Sequence, residues 1–138
     1  KSLEDELEKK AMFINLSQER IILPEVEIAD TFLRRLQGLW GRKSLPPGQG
    51  LVIKPCRAVH TVGLYFPIDI AFVNRENRIC CLKDVFPPWK VSPVIRPARY
   101  VVEAPAGTFK QTQTKEGDLV KLKTIRKPVR HCHCLKSV

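Results

Sequence analysis

Apolar and polar positions alternate in short runs along most of the chain, a pattern that predicts β-strands. These runs occupy residues 12–16, 20–29, 51–53, 58–62, 68–73, 78–86, 100–104 and 118–124. A different spacing, typical of a helix, follows the candidate N-cap Asp30 and predicts one main helix over residues 30–41. A shorter helix is predicted after Ser2. Four prolines within residues 87–97 exclude a regular element there.

The arrangement of these elements predicts the fold class and the division of the chain. The polar segment Asn74–Asn77 separates two apolar runs and predicts a β-hairpin. One main helix among about seven strands indicates an α+β domain, β-dominated, with a small barrel or a strongly bent antiparallel sheet. We expect residues 1–19 to form an N-terminal helix and first strand that could be peripheral. Residues 20–124 form the β-rich domain, and residues 125–138 a basic Cys/His tail.

Charge adds an expectation about partners. The chain has 24 Lys and Arg against 14 Asp and Glu, a formal net charge of +10, and residues 31–68 and 119–138 contain no acid. This balance favours an anionic partner, such as nucleic acid, a lipid surface or an acidic protein. The plainer interpretation is that net charge keeps the protein dispersed. The candidates for anion contact are Arg34, Arg35, Arg42, Lys43 and Arg57.

The sequence also bears on compartment. No stretch approaches the roughly 18 apolar residues of a membrane-spanning helix, and residues 1–10 are charged, without the apolar core of a secretory signal. We therefore expect a cytoplasmic protein. The chain begins at Lys1, so a leader could have been removed, and an exported or membrane-anchored protein is the alternative.

Thiols and imidazoles are the candidate metal ligands. The five cysteines are an odd number without obvious pairing, which favours reduced thiols. Structural zinc usually takes two widely spaced pairs of donors, and the tail provides only half of that pattern. We predict no metal and no cofactor. If a metal binds, the candidate ligands are His131, Cys132, His133 and Cys134.

Five polar residues are candidates for the chemistry of a site, and most of them stand where a predicted strand begins or ends. His60 and Thr61 end one predicted strand, and Asp69 begins the next across a kink, so an imidazole and a carboxylate could converge as a base and its orienting group. The alternative is a hydrogen bond that only fixes the kink. Glu103 lies in an apolar run and must be paired or face a groove. Asp118 follows a glycine, where a turn-capping role is typical.

The order of motifs resembles the domain of unknown function 192 family over residues 25–122. The matching segments are Glu27–Thr31, Arg35–Arg42, Pro46–Gly50, His60–Leu64, Phe66–Val73, Val102–Gly107 and Gly117–Asp118. The resemblance implies a compact, β-dominated domain and no established activity. It also implies one shared polar groove formed by His60, Thr61, Asp69, Glu103 and Asp118. Trp40 and Leu64 depart from the family, which usually has Met at both positions.

Three functions follow from these observations. We favour a non-catalytic binding or accessory domain for a small ligand or protein, with a groove near His60, Asp69 and Glu103, because no motif pairs a Ser or Cys nucleophile with His60. A hydrolase-like enzyme with His60 as its base is the first alternative. A nucleic-acid or anionic-surface binder that uses the basic clusters is the second.

Overall fold

The structure is a computed structural model that describes residues 10–30, 39 and 41–125. Most of the predicted main helix, the predicted N-terminal helix and the Cys/His tail lie outside these residues. The described elements are β1 (Lys10–Asn15), β2 (Arg20–Ala29), β3 (Gln49–Ile53), β4 (Ile68–Asn74), β5 (Ile79–Phe86), β6 (Ala98–Pro105), α1 (Thr108–Gln111) and β7 (Val120–Thr124).

The seven strands form one sheet in the order β5-β4-β6-β3-β2-β1-β7. The sheet curls until its two outermost strands meet at one end, where Arg78 and Leu119 form a bridge and the Val120 N–H donates to the Asn77 carbonyl at 2.8 Å. The predicted β-dominated α+β fold with a strongly bent sheet is confirmed. The expectation of a purely antiparallel sheet needs one correction, because β2 and β3 pair in parallel.

Two local features show how the sequence shapes these strands. The Asn74 side chain accepts hydrogen bonds from the Glu76 and Arg78 N–H groups, and Asn77 has a φ of 62° that asparagine tolerates, so this turn closes the β4–β5 hairpin. Pro24 lies where the register between β1 and β2 shifts. A proline has no N–H to donate, so an irregularity at this point costs the sheet no ladder bond.

The sheet has a core on each face. The inner face, inside the curl, is defined by a cluster to which all seven strands contribute, including Phe13, Val26, Val102 and Val120. The outer face is covered by loops, and its cluster comprises Ala29, Leu39, Leu45, Leu51, Ile53, Val59, Leu64, Ile68, Ile70, Phe72, Ala98 and Val101. Strand β4 is buried on both faces, which explains its almost continuous apolar sequence.

Three segments differ from the expectations drawn from sequence. Residues 58–62 form no strand, and only His60 makes an isolated bridge, to Val91, because the facing segment is rich in proline. The segment between residues 104 and 118, for which the apolar pattern predicts no element, contains the short helix α1. Strand β1 pairs with β2 on one side and β7 on the other, so it lies within the sheet instead of at its periphery.

Candidate functional site

Asp69 is a fully buried carboxylate on the inner face, and both of its oxygens accept hydrogen bonds from the backbone. Oδ1 accepts from the Val85 N–H at 2.8 Å, and Oδ2 accepts from the Phe109 N–H at 3.1 Å. Val85 lies at an irregularity of β5, and Phe109 lies in α1. Asp69 therefore joins a bulged strand to the short helix, which is a structural use of its charge.

Thr61 is also fully buried and fastens the segment that carries Trp89. Its hydroxyl donates to the Pro87 carbonyl at 2.7 Å and accepts from the Lys90 N–H at 3.0 Å. Its backbone carbonyl accepts from the Trp89 N–H at 2.9 Å. His60, the preceding residue, is exposed and lies beside this clamp. The His60–Thr61 motif therefore lies where its loop contacts the segment that contains Pro87, Trp89 and Lys90.

Glu103 lies on the outer face, opposite to Asp69. In the β4–β6 register Asp69 pairs with Ala104, whereas Glu103 pairs with Ile70, and consecutive residues of a strand point to opposite faces. Burial raises the pKa of the Glu103 carboxyl to about 8, and the Arg42 guanidinium lowers it in part. At neutral pH the folded protein therefore holds this side chain mainly as a protonated acid.

Arg42 connects Glu103 to a second carboxylate on the same face. Its Nη2 donates to Glu27 Oε2 at 3.1 Å. The strand register places Glu27 opposite Leu51 on β3, and Leu51 opposite Glu103 on β6, so the two acids lie two strands apart. One guanidinium thus acts on the half-exposed side chain of Glu27 and on the buried side chain of Glu103.

Asp118 has the turn-capping role that its sequence position suggests. Its Oδ2 accepts from the Lys115 N–H at 2.9 Å and from the Asn15 side-chain amide at 2.8 Å. The buried Asn15 in turn accepts from the Gln18 N–H. This network fixes the start of β7 against the end of β1.

The five polar residues that the sequence placed in one groove thus occupy separate places. Asp69 is inside the curl, Glu103 is on the outer face, and His60 and Thr61 are at a loop contact. Asp118 caps a turn. The structure brings together His60 and Thr61, which are neighbours in sequence, and does not bring the other three to them.

The candidates for anion contact are distributed as well. Arg34 and Arg35 lie outside the described residues. Arg42 is paired with Glu27, Lys43 is exposed, and Arg57 lines a cavity together with Arg99. Arg57 therefore leads to a concave surface.

That surface adjoins an open cavity of about 500 Å³, which we call the Tyr100 cavity, and shares Pro55 and Arg99 with it. It lies where the ends of β2, β3 and β4 meet the start of β6. Its lining residues are Asp30, Lys54, Pro55, Asn74, Arg75, Asn77, Arg99 and Tyr100. Two smaller concave regions of about 380 and 370 Å³ adjoin it through shared residues, and they add Lys121 and Arg57.

Strand pairing explains why these residues meet. Ile53 pairs with Val101, so Lys54 follows β3 beside Tyr100 on β6. Val73 pairs with Tyr100, so the turn that contains Arg75 follows β4 at the same end. Lys54, Arg75 and Arg99 are exposed, and none forms an ion pair with residues 10–30 or 41–125.

Tyr100 gives this cavity an unusual polar group. The residue is 7% exposed, and within the described part of the chain its hydroxyl has no hydrogen-bond partner. Burial raises the pKa of this phenol, so it stays protonated and is a hydrogen-bond donor. Buried hydroxyls are normally paired, and an unpaired one beside a cavity can be satisfied by a ligand.

Other chemistry is sparse in the described residues. Among residues 10–30 and 41–125, no cluster of three His, Cys, Asp or Glu side chains could hold a metal ion. The tail candidates His131–Cys134 lie outside this part. Cys80 and Cys81 are free thiols, and burial raises the pKa of both. The Cys56 thiol donates to the Ala58 carbonyl at 3.0 Å. No helix in the described segments is long and apolar enough to cross a membrane.

Comparison with known proteins shows extensive similarity to one family. The DUF192 family model, described as Uncharacterized ACR, matches residues 13–122. A UPF0127 protein of Pyrococcus furiosus is 31% identical over 110 residues, which are 76% of this chain and 92% of that protein. A UPF0127 protein of Thermococcus kodakarensis is 27% identical over 113 residues, covering 79% of this chain and 71% of that protein.

Two solved structures have the same fold. A putative transcription regulator from Sinorhizobium meliloti has a TM-score of 0.70 and 26% identity, over 82% of this chain and 92% of that one. A protein of unknown function from Novosphingobium aromaticivorans also has a TM-score of 0.70, with 22% identity, over 81% of this chain and 83% of that one. At this lower identity the second likeness concerns the fold alone.

Proposed function

We propose, from the premise that this chain belongs to the DUF192 family of uncharacterized proteins, that it binds a small organic anion in the Tyr100 cavity. The observation that carries the proposal is the buried Tyr100 hydroxyl, which lacks a partner among the described residues and belongs to a residue that lines the cavity together with Lys54, Arg75 and Arg99. The binding is non-catalytic.

The charge of the lining favours an anion. Lys54, Arg75 and Arg99 contribute three positive charges, against one carboxylate, Asp30. Guanidinium groups bind carboxylates and phosphates through two parallel hydrogen bonds, and an ammonium adds a point charge. A concave surface lined mainly by one sign of charge also concentrates counter-ions from solution.

The shape of the cavity favours an anion with an apolar body. About 500 Å³ lies within the roughly 300–1,000 Å³ of typical small-molecule sites. The Tyr100 ring and Pro55 provide apolar wall, while the Tyr100 hydroxyl can donate one hydrogen bond to an acceptor on the ligand. A carboxylate or phosphate ester of a small ring compound satisfies both requirements.

The geometry at His60 gives less support to a hydrolase. A base needs an orienting group within hydrogen-bond reach. Asp69 is committed to the Val85 and Phe109 N–H groups, and Glu103 lies on the other face of the sheet. Binding therefore accounts for the described arrangement better than catalysis by these residues.

The proposal is tested by calorimetric titration with inorganic phosphate, phenyl phosphate and benzoate. We expect saturable binding, tightest for a probe with a ring, and a loss of at least about tenfold in affinity when Arg75→Gln and Arg99→Gln are combined. Tyr100→Phe should weaken binding about fivefold, because it removes one hydrogen bond. The matched control combines Lys110→Gln with Lys123→Gln, exposed cations outside the cavity lining. Equal weakening by both pairs of substitutions would reduce the effect to net charge and contradict the proposal.

Nucleic acid is the competing ligand, because the solved structure at 26% identity is described as a putative transcription regulator. The same cations would then contact phosphates along a backbone, and affinity would fall steeply with salt. Titration with a DNA duplex and with phenyl phosphate separates the two. Tight DNA binding that phenyl phosphate does not displace would favour the nucleic-acid function.

A further inference from the structure

A second surface, separate from the Tyr100 cavity, exposes large apolar side chains on two neighbouring segments. We call it the Trp89 surface, and it consists of Val62, Tyr65, Val85, Trp89, Val91 and Val94. Tyr65 is 81% exposed and Val91 is 70% exposed, while Trp89 itself is 54% exposed. Apolar side chains grouped in this way mark surfaces that contact something other than water.

The backbone holds these side chains outward in a fixed arrangement. The Thr61 N–H donates to the Lys90 carbonyl at 2.8 Å, and the Thr61 carbonyl accepts from Trp89. Trp89 has a φ of 60° and Val85 a φ of 48°, in the left-handed region that large and β-branched residues rarely adopt. Strained positions of this kind persist where the surrounding structure enforces them, and they concentrate at functional surfaces.

The aromatic rings of Tyr65 and Trp89 are paired on this surface. Their centroids are 6.2 Å apart at an interplanar angle of 72°, an edge-to-face arrangement. The pair stiffens both side chains and leaves much of their area in solvent. Tyrosine and tryptophan combine an apolar body with a polar atom, which suits them to the boundary between water and lipid headgroups.

The positive charge of the segments that carry this surface favours an anionic partner. Residues 57–67 and 83–96 carry four cationic side chains, Arg57, Lys83, Lys90 and Arg96, against the single carboxylate Asp84. Aromatic and aliphatic side chains beside cations are the combination that lies in the headgroup region of anionic membranes. We propose that the Trp89 surface docks this protein peripherally on an anionic lipid surface, with Trp89 and Tyr65 at the headgroup boundary and Lys90 on the phosphates.

The test is cosedimentation of the full chain with vesicles of phosphatidylglycerol and phosphatidylcholine in equal parts, and with phosphatidylcholine alone. We expect binding to the anionic vesicles only, with an affinity that falls as salt rises. Trp89→Ala should reduce the partition coefficient at least about tenfold, because it removes the largest apolar side chain that the membrane would bury. Tyr65→Ser is a second variant, at a side chain so exposed that folding does not depend on it.

The matched control is Leu16→Ser combined with Ile21→Ser, which removes apolar side chains that are 44% and 49% exposed at the β1–β2 hairpin. We expect this variant to bind as the unaltered chain does. In a Trp40→Phe background Trp89 is the only tryptophan, and its emission should shift to the blue on anionic vesicles.

Four outcomes would overturn the proposal. The first is that the protein does not bind anionic vesicles. The second is that the surface variants and the control bind equally well. The third is that the protein forms an oligomer without lipid, which only the surface variants dissociate. The fourth is an equal blue shift of Trp89 with polyglutamate. The third outcome would assign the surface to a second copy of this chain, and the fourth to an acidic protein.

Discussion

The Asp69 carboxylate and the Val85 N–H are joined by a hydrogen bond of 2.8 Å between neighbouring strands β4 and β5. Val85 has a φ of 48°, which few β-branched residues adopt, and it lies where β5 has one extra residue relative to β4. A bulge removes the affected N–H from the ladder, so that it needs another acceptor. Asp69 provides this acceptor and thereby stabilises the strained position.

Asp69→Asn tests this relationship. The amide keeps one acceptor oxygen but turns an NH₂ group toward one of the two backbone N–H donors. We expect the free energy of unfolding to fall by about 2–3 kcal/mol, the cost of a buried donor left without an acceptor. The control Asp84→Asn, at an exposed carboxylate, should change it by less than about 0.5 kcal/mol. Chemical denaturation measures both, and similar values for the two variants would contradict the proposed role.

Thr61→Val tests the clamp beneath Trp89. Valine matches threonine in shape but removes the hydroxyl that bonds to Pro87 and Lys90. We expect a loss of about 1–3 kcal/mol in stability and faster hydrogen exchange of the Lys90 amide. Thr124→Val, at an exposed position of β7, is the control. Unchanged exchange at Lys90 would show that the backbone bonds alone hold the loop.

The hairpin of β4 and β5 could be predicted from sequence because its information is local. Two apolar runs flank Asn74–Asn77, and the Asn74 side chain makes the turn whatever the rest of the chain does. The parallel pairing of β2 with β3 could not be predicted. It depends on the path of the chain between Ala29 and Gln49, a segment with no strand signal of its own.

The separation of Asp69 from Glu103 could not be predicted from sequence either, for a related reason. Strand β4 is apolar on both faces, so its alternation does not show which way Asp69 points. The register between β4 and β6 decides this, and it pairs Asp69 with Ala104, 35 residues further along the chain. The Tyr100 cavity could not be predicted from sequence, because Lys54, Arg75 and Arg99 each have the sequence context of a solvated surface cation.

Gly50→Ala tests the close approach of β3 to its neighbours. A Cβ at position 50 would lie 2.7 Å from the Glu103 carbonyl oxygen and 2.7 Å from Leu23 Cδ1, distances at which the structure must shift. Overpacking of this kind costs about 1–3 kcal/mol. Gly117→Ala meets open space but has a φ of 93°, so it should cost about 1 kcal/mol through backbone strain alone. A smaller loss for Gly50→Ala than for Gly117→Ala in thermal unfolding would contradict the packing argument.

Glu103→Gln tests the buried carboxyl on the outer face. Because the folded pKa of about 8 lies above that of the unfolded chain, the folded state holds the extra proton between these two values. Stability from this group is present in full below the unfolded pKa of about 4.3, falls as pH rises through the window, and is lost above pH 8. We expect Glu103→Gln to be more stable than the unaltered chain at pH 9 by several kcal/mol and similar to it at pH 4.

The control for this pH dependence is Glu76→Gln, which removes an exposed carboxylate. Denaturation series at each pH should give parallel curves for Glu76→Gln and the unaltered chain. If the curve of Glu103→Gln also ran parallel to them, the buried carboxyl would not titrate in this window.

Arg42→Gln tests the interaction that opposes the effect of burial on the pKa of Glu103. The guanidinium lowers the pKa of this carboxyl, so its removal should raise the midpoint of the Glu103 titration, followed by the ¹³C shift of the carboxyl carbon. The lost ion pair with the half-exposed Glu27 should cost less than about 1 kcal/mol. Lys43→Gln removes the same formal charge from the next residue, which is exposed, and should leave the midpoint in place. An equal shift in both variants would mean that Glu103 responds to net charge, and a downward shift in Arg42→Gln would reverse the assigned sign.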